Sequence, residues 1–424
     1  MKSRFLILLR VLMIVLVAIS YQSCDSKLNI DKPTTFIKYI GGHGNQTGID
    51  MTTDAEGGIY ILGSTTSVDS AQQLYIVKAN QDGNVVWEQV YGGAGDETPK
   101  DIELMSDGNL AIVADVTDSG ERDFQIYVLN ASDGTLIMTG NGGTTGKPDY
   151  ANSITQTTDG FIVASYIDEG VFKTGWVRRF HTDLVEFGGE WTSDINQFEG
   201  ASGHDVIPVK VFQSGTVFYT FGYTNSTADG GGPDYNVLIT ATNDLNGLLR
   251  VFVPKGTSAA SDERVTTVTK VPGGAGFVIS GYSTTGSTQE LFMLRVVGAL
   301  EVPTTTPDII SVAPKNISSG LSSASSASFA STFPSASSGF YVLGEKNSTG
   351  NSDLYLTRVD NIINPVWTAP DARVFGGAGN DVAGALAEAN DGSVLICGTM
   401  VLGDALGQQK IVLMKLNTQG MLGN

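Results

Sequence analysis

The sequence predicts an all-β protein in which one unit of four short strands is repeated seven times. Three observations carry this. The composition is globular and turn-rich, with 41% apolar residues, 16% charged residues and 52 glycines in 424, which favours many short elements over long helices. An apolar run then recurs at intervals of roughly fifty residues, the sign of a repeat architecture. Its copies are "IYILGST" ending near Ser64, "LAIVADV", "FIVASYI", "VFYTFGY", "FVISGYS", "FYVLGEK" and "SVLICGT". Finally, a second family of runs follows the first after a polar loop: "LYIVKAN", "FQIYVLN", "TGWVRRF", "YNVLITATN", "LFMLRVV", "LYLTRVD" and "IVLMKLN".

Each element has a local reason. The first run is preceded by turn pairs such as Asp107-Gly108, Asp159-Gly160, Ser214-Gly215 and Asp391-Gly392, small residues that accept the positive φ of a tight hairpin. The second run leads into turns at Asp82-Gly83 and Asp133-Gly134 and then a strand with a large apolar residue, as around Trp87 and Trp367. Trp87 is expected between blades. A weaker strand, such as "DYANSITQT" or "DVAGALAEA", completes the unit after a Gly-Gly corner. Four antiparallel strands repeated seven times predict a seven-bladed β-propeller over residues 34–424. The last unit ends on its third strand, while "TTFIKYIGG" near the start has fourth-strand character with no strands before it. Residues 34–40 are therefore expected to pair as the outer strand of the last blade, closing the ring and removing an exposed edge. The serine-rich stretch from Ser318 to Ser338 is linker-like in composition, but it falls where blade six needs its innermost strand, and it is read as strand with loop.

Residues 1–23 differ from the rest. Lys2, Arg4 and Arg10 precede the apolar run Val11–Ile19, too short to span a bilayer and suited to a signal peptide. The following Ser20-Tyr21-Gln22-Ser23-Cys24 resembles the lipobox of bacterial lipoproteins in a relaxed form. That resemblance implies lipidation at Cys24, a tether over residues 24–33 and a cell-envelope location, with the outer membrane expected. The aromatic-Gly-Gly corner, acidic residue, Asp-Gly turn and paired strands also resemble the repeats of bacterial seven-bladed propeller lipoproteins of the Bacteroidetes type, best in blades one, two and seven. The only other cysteine, Cys397, lies in an apolar run and is read as a buried small hydrophobe.

Charge and motifs narrow the functions. With 44 Asp and Glu against 25 Lys and Arg the formal net charge is −19, and loss of the basic signal makes it more negative. This argues against nucleic acid and against anionic lipid as a binding surface. The membrane is expected to be reached only through the lipid, and the closed ring to act as a monomer that binds a protein or a glycan. The segment "GGAGND" at 376–381 spells the G-G-x-G-x-D of calcium-binding nonapeptides, but its relatives "GGAGDE" and "GGHGNQ" are roughly fifty residues or more away from one another, not about nine. The glycines are assigned to blade corners. After the corner stand Glu97, Asp149, Asp205, Asp262 and Asp381, read as equivalent positions at the start of the innermost strand. They either cap their own turns or ring one channel mouth and hold a cation or basic group. His43, His181 and His204 have no metal-binding spacing. No catalytic residue, metal or cofactor is implied. Asn80 to Trp87 departs from the S-x-D-x-G-x-x-W turn of sialidase-type propellers, because Asp82 and Gly83 adjoin. The expectation is a binding module, with the loop 224–234 as a contact; the alternative is a polysaccharide hydrolase or lyase using the mouth carboxylates.

Overall fold

The computed structural model describes residues 35–423 except 67–70, 119, 188–192, 195–202, 227–233, 244–247, 255–260, 272, 274–275, 301–304, 306–308, 318–326, 335–338, 348–350, 368–372, 378 and 404–406. The signal segment, Cys24 and the tether, together with most of the loop at 224–234, lie outside the described residues. The chain forms seven four-stranded antiparallel sheets. Six are built from consecutive strands. The seventh takes Phe36–Ile40 as its outer strand, against Gln409–Leu416, with Phe36 opposite Lys415 and Ile40 opposite Ile411. The ring closes where the sequence placed the closure.

The two apolar runs of each unit are the middle strands of each sheet, and their nearly unbroken hydrophobicity has a direct cause. Ile59 and Ile61 face blade seven, in a cluster with Val77, Leu395 and Ile411. Tyr60 and Leu62, between and beside them, face blade two with Ile102 and Ile112. Both faces of a middle strand are buried, so neither alternate set of side chains is polar. Seven such clusters lie between neighbouring blades. Outer strands bury less. Val85 and Val86 are exposed and Trp87 is only half-buried, against Tyr60 and with its indole N–H donating to the Ala131 carbonyl at 3.3 Å. Trp87 thus packs at the junction of blades one and two with part of its ring exposed, while Trp367, 6% exposed, is the more enclosed of the two. Gly83 shows the turn logic. Its φ is +74°, and a Cβ there would run into the Phe36 ring of the closing strand.

The innermost strands are Gln46–Thr53, Asp96–Leu104, Asp149–Thr157, Val206–Ser214, Asp262–Lys270, Ala327–Pro334 and Val382–Glu388, and they pack against one another around a central channel. The sixth lies in the serine-rich stretch, as strand. Every one carries a one-residue register shift, at Ile49, Lys100, Asn152, Val209, Thr266, Ala330 and Gly384. A bulge re-aims the side chains beside it and sharpens local twist. The bulge is thus a repeat feature, and it sets which residues face the channel.

Candidate functional site

Aligning the seven strands on their bulges corrects the equivalence read from sequence. Gln46, Glu97, Asp149, Val206, Glu263 and Asp381 share one position, three residues before the bulge; Asp205 and Asp262 sit one residue earlier, with Asn45, Asp96 and Asn380. The two positions do different work. At the earlier one, the side-chain oxygen accepts the backbone N–H that opens the third strand of the preceding blade: Asn45 from Gln409 at 3.1 Å, Asp96 from Gln72 at 2.8 Å, Asp205 from Lys173 at 2.8 Å, Asp262 from Tyr235 at 2.9 Å and Asn380 from Ser352 at 3.1 Å. Asp205 also accepts the Tyr235 hydroxyl. These bonds place corner loops and the loops between second and third strands on one face.

At the later position the carboxylates turn inward to their own corners. Glu97 accepts from Gly93 N–H at 2.7 Å, Asp149 from Thr144 at 2.8 Å, and Asp381 from Gly377 at 3.0 Å and Val401 at 2.9 Å. Burial raises the pKa of all three. In Asp149 the Arg178 guanidinium, 2.8 Å away and itself 4% exposed, opposes that rise; Arg178 also reaches Glu186 at 3.1 Å. The five carboxylates singled out in the sequence are each engaged by protein hydrogen-bond donors.

A second cluster, which the sequence reading missed, lies deeper. One residue past the bulge stand Asp50, Asp101, Ser153 and Lys210 on the innermost strands of blades one to four. Asp50 accepts the Ile102 N–H at 3.0 Å, and Asp101 accepts the Ile154 N–H at 2.8 Å, each from the next blade. Lys210 Nζ donates to Asp101 at 2.6 Å and to the Ile154 carbonyl at 3.3 Å. Burial, and after it the neighbouring Asp101 carboxylate, pushes the Asp50 carboxyl well above the usual range. Two residues further, Glu103 accepts the Gln156 N–H at 3.1 Å. Burial raises its pKa to about 7, with Lys210 opposing and Asp101 reinforcing the rise. Burial pulls Lys210 down, but Asp101, Glu103 and Asp50 outweigh it and hold the ammonium above its ordinary value. The signal available in the sequence was a polar residue at one fixed offset in four successive inner strands. Among the described residues no group of three or more His, Cys, Asp or Glu is arranged to hold a metal ion.

Comparison with known proteins agrees with the architecture. Residues 35–69 match SBBP, the beta-propeller repeat family. That match runs through the closing strand, a corner and the first two strands of blade one. No curated protein matches the chain. Among solved structures, a Mycobacterium tuberculosis puromycin-hydrolyzing peptidase is similar at 10% identity and TM-score 0.50, over 88% of this chain and 51% of that one. The chain therefore spans about half the length of the peptidase. A Penicillium chrysogenum alpha-L-arabinanase complexed with arabinobiose is similar at 12% identity and TM-score 0.45, over 90% and 98%. A Bacteroides caccae protein of unknown function follows at 13% identity and TM-score 0.35, over 58% and 82%. At such identities the likeness concerns the fold. The chain is a seven-bladed β-propeller bearing a stretch that matches the SBBP beta-propeller repeat.

Proposed function

We propose that the protein is a cell-envelope lipoprotein, anchored through Cys24, whose propeller is a monomeric binding module for a protein or glycan. The observation that supports a module over a hydrolase is the commitment of its carboxylates. Glu97, Asp149, Asp205, Asp262 and Asp381 accept N–H groups of their corners or of the preceding blade, and Asp50 and Asp101 accept N–H groups of the next blade. A glycosidase needs two carboxyls held roughly 5 to 10 Å apart across the scissile bond. Asp50 and Asp101 instead hold backbone N–H groups of the next blade, and Asp101 also holds the Lys210 ammonium. The alternative, a polysaccharide-acting hydrolase or lyase, draws support from Glu103, whose carboxyl near neutrality suits a general acid.

The test has two parts. Radiolabelled palmitate is expected in the full-length protein and absent from Cys24→Ala; label in the variant defeats the anchoring. Purified protein is then offered to a glycan array and to soluble polysaccharides. Retention without release of reducing ends supports the module. Turnover lost in Glu103→Gln would establish the hydrolase instead.

A further inference from the structure

The exposed apolar surface of the propeller is not scattered. Fifteen large hydrophobic residues are exposed among the described residues, and nine of them stand at or just past one turn of the repeat, between the third and fourth strands. Blade one exposes Val85 and Val86 there, blade two Leu136 and Ile137, and blade three Val185. Blade six adds Ile362 and Val366, and blade seven Met421 and Leu422; all nine are 45 to 58% exposed. The turn is the same in these five blades. The N–H ending the third strand donates back across it at 2.9 Å, from Asn80 to the Asn84 carbonyl in blade one and from Asn417 to the Met421 carbonyl in blade seven. Each turn is also braced on the outer part of the preceding blade. Gly83 packs on the Phe36 ring, Gly134 on Trp87, Leu184 on Gly140 and Gly420 on Trp367, while the Ile362 carbonyl accepts from Lys315 at 2.8 Å. Blades six, seven, one, two and three are neighbours in the ring, so the nine residues form a braced arc. Apolar surface gathered in this way, among polar turns, marks a contact with another body.

The place where the chain leaves the propeller indicates what covers the arc. Strand direction puts these turns on the face opposite the corner loops, and the closing strand starts on that same face. There the Thr35 hydroxyl accepts the Gly423 N–H at 2.8 Å, next to Met421 and Leu422 and inside the arc. Cys24 stands eleven residues before Thr35, and even fully extended that stretch spans at most about 40 Å. A folded unit of roughly 390 residues has a radius of gyration of about 21 Å and so a diameter on the order of 55 Å. The stretch is shorter than the propeller is wide. A lipid on Cys24 therefore holds the bilayer on the side from which the chain departs, at high effective concentration against the arc. Asp82, Asp133, Asp183 and Asp360 stand on four of the five turns, so the surface suits neutral or zwitterionic headgroups and disfavours anionic ones. We propose that this arc rests on the bilayer to which the chain is anchored, with its apolar tips at the headgroup boundary and the corner-loop face turned away from the membrane. This rests on the reading of Cys24 as the anchor and adds to it an orientation and a lipid contact.

The contact is read with single cysteines carrying an environment-sensitive fluorophore, since Cys397 is fully buried and does not compete for label. Val86→Cys, Ile137→Cys and Leu422→Cys lie on the arc; Val171→Cys, 91% exposed in a loop of the opposite face, is the control. Each is attached to phosphatidylcholine vesicles, with and without brominated acyl chains, in two ways. One is the full-length chain purified from membranes with its own lipid; the other is the chain from residue 25, held by an N-terminal histidine tag on nickel-chelating lipid. The arc labels are expected to shift to the blue and lose emission to bromine, Val171→Cys to do neither, and added phosphatidylglycerol to reduce the effect. Adding Val86→Asp and Ile137→Asp should abolish the shift at Leu422→Cys. Arc labels that stay in an aqueous environment in both preparations overturn the inference, and palmitate on the same chain leaves the anchoring intact. Equal quenching at Val171→Cys, or a Leu422→Cys shift that survives the two aspartates, overturns it as well. Arc labels already shifted without vesicles, together with a dimer in sedimentation, assign the arc to a second copy and overturn the lipid contact. Arc quenching in the tagged chain with no palmitate on the native one supports the lipid contact and overturns the anchoring instead.

Discussion

Replacing Glu103 by Gln should stabilise the protein at alkaline pH, an unusual result for removing a charge beside a lysine. The Glu103 carboxyl titrates near 7 in the fold against an ordinary value of 4.5. The native state therefore binds this proton more tightly than the unfolded chain does. The stability so gained is complete below pH 4.5 and is lost as pH rises through 7. Above that, the ionised side chain costs about 3 kcal/mol relative to a neutral one, since each tenfold change in proton affinity is worth about 1.36 kcal/mol. Glutamine resembles the protonated acid and its carbonyl still accepts the Gln156 N–H. Thermal and guanidinium unfolding of both proteins from pH 4 to 9 should give a difference near zero at pH 4, growing to about 2 to 3 kcal/mol in favour of Glu103→Gln at pH 8. A variant destabilised at pH 8, or a difference flat in pH, would refute the reasoning, because Lys210 would then hold Glu103 ionised at little cost.

Three further outcomes are expected. Deleting residues 34–40 removes the strand paired with Gln409–Leu416 and opens an edge in the last blade; its melting temperature should fall sharply, and an unchanged one defeats the closure. Arg178→Met leaves the fully buried Asp149 without its cation and should cost about 3 to 5 kcal/mol; adding Asp149→Asn should recover part of that in a double-mutant cycle, and no recovery argues against the pair. Trp367→Ala should cost about 3 to 5 kcal/mol and Trp87→Ala roughly half as much, following their burial; equal losses in denaturant titrations would show that burial does not decide the difference.

Much of the architecture was determined by the sequence alone, because it depends on local pattern. "IYILGST" and "LYIVKAN" are apolar on both alternations, which only a strand buried on both faces requires, and seven such pairs with Asp-Gly turns leave few architectures. The closing strand was legible for the same reason: "FIKYI" has outer-strand alternation, and its burial pattern runs half-buried, exposed, half-buried, exposed, buried. Cys397 was readable as core and is fully buried. The functional surface was not legible in this way. The corners before blades four and five lack the Gly-Gly pair that fixes the count elsewhere, so reading along the chain placed Asp205 and Asp262 with Glu97, whereas pairing puts Val206 and Glu263 there. The cluster of Asp50, Asp101, Glu103 and Lys210 was missed because its members come from three blades, and their shared offset becomes visible only once the inner strands are aligned on their bulges. Local hydrogen bonding and burial fix a strand wherever it stands; which charges meet in the channel is decided only when the ring closes and brings inner strands from separate blades within a few ångströms.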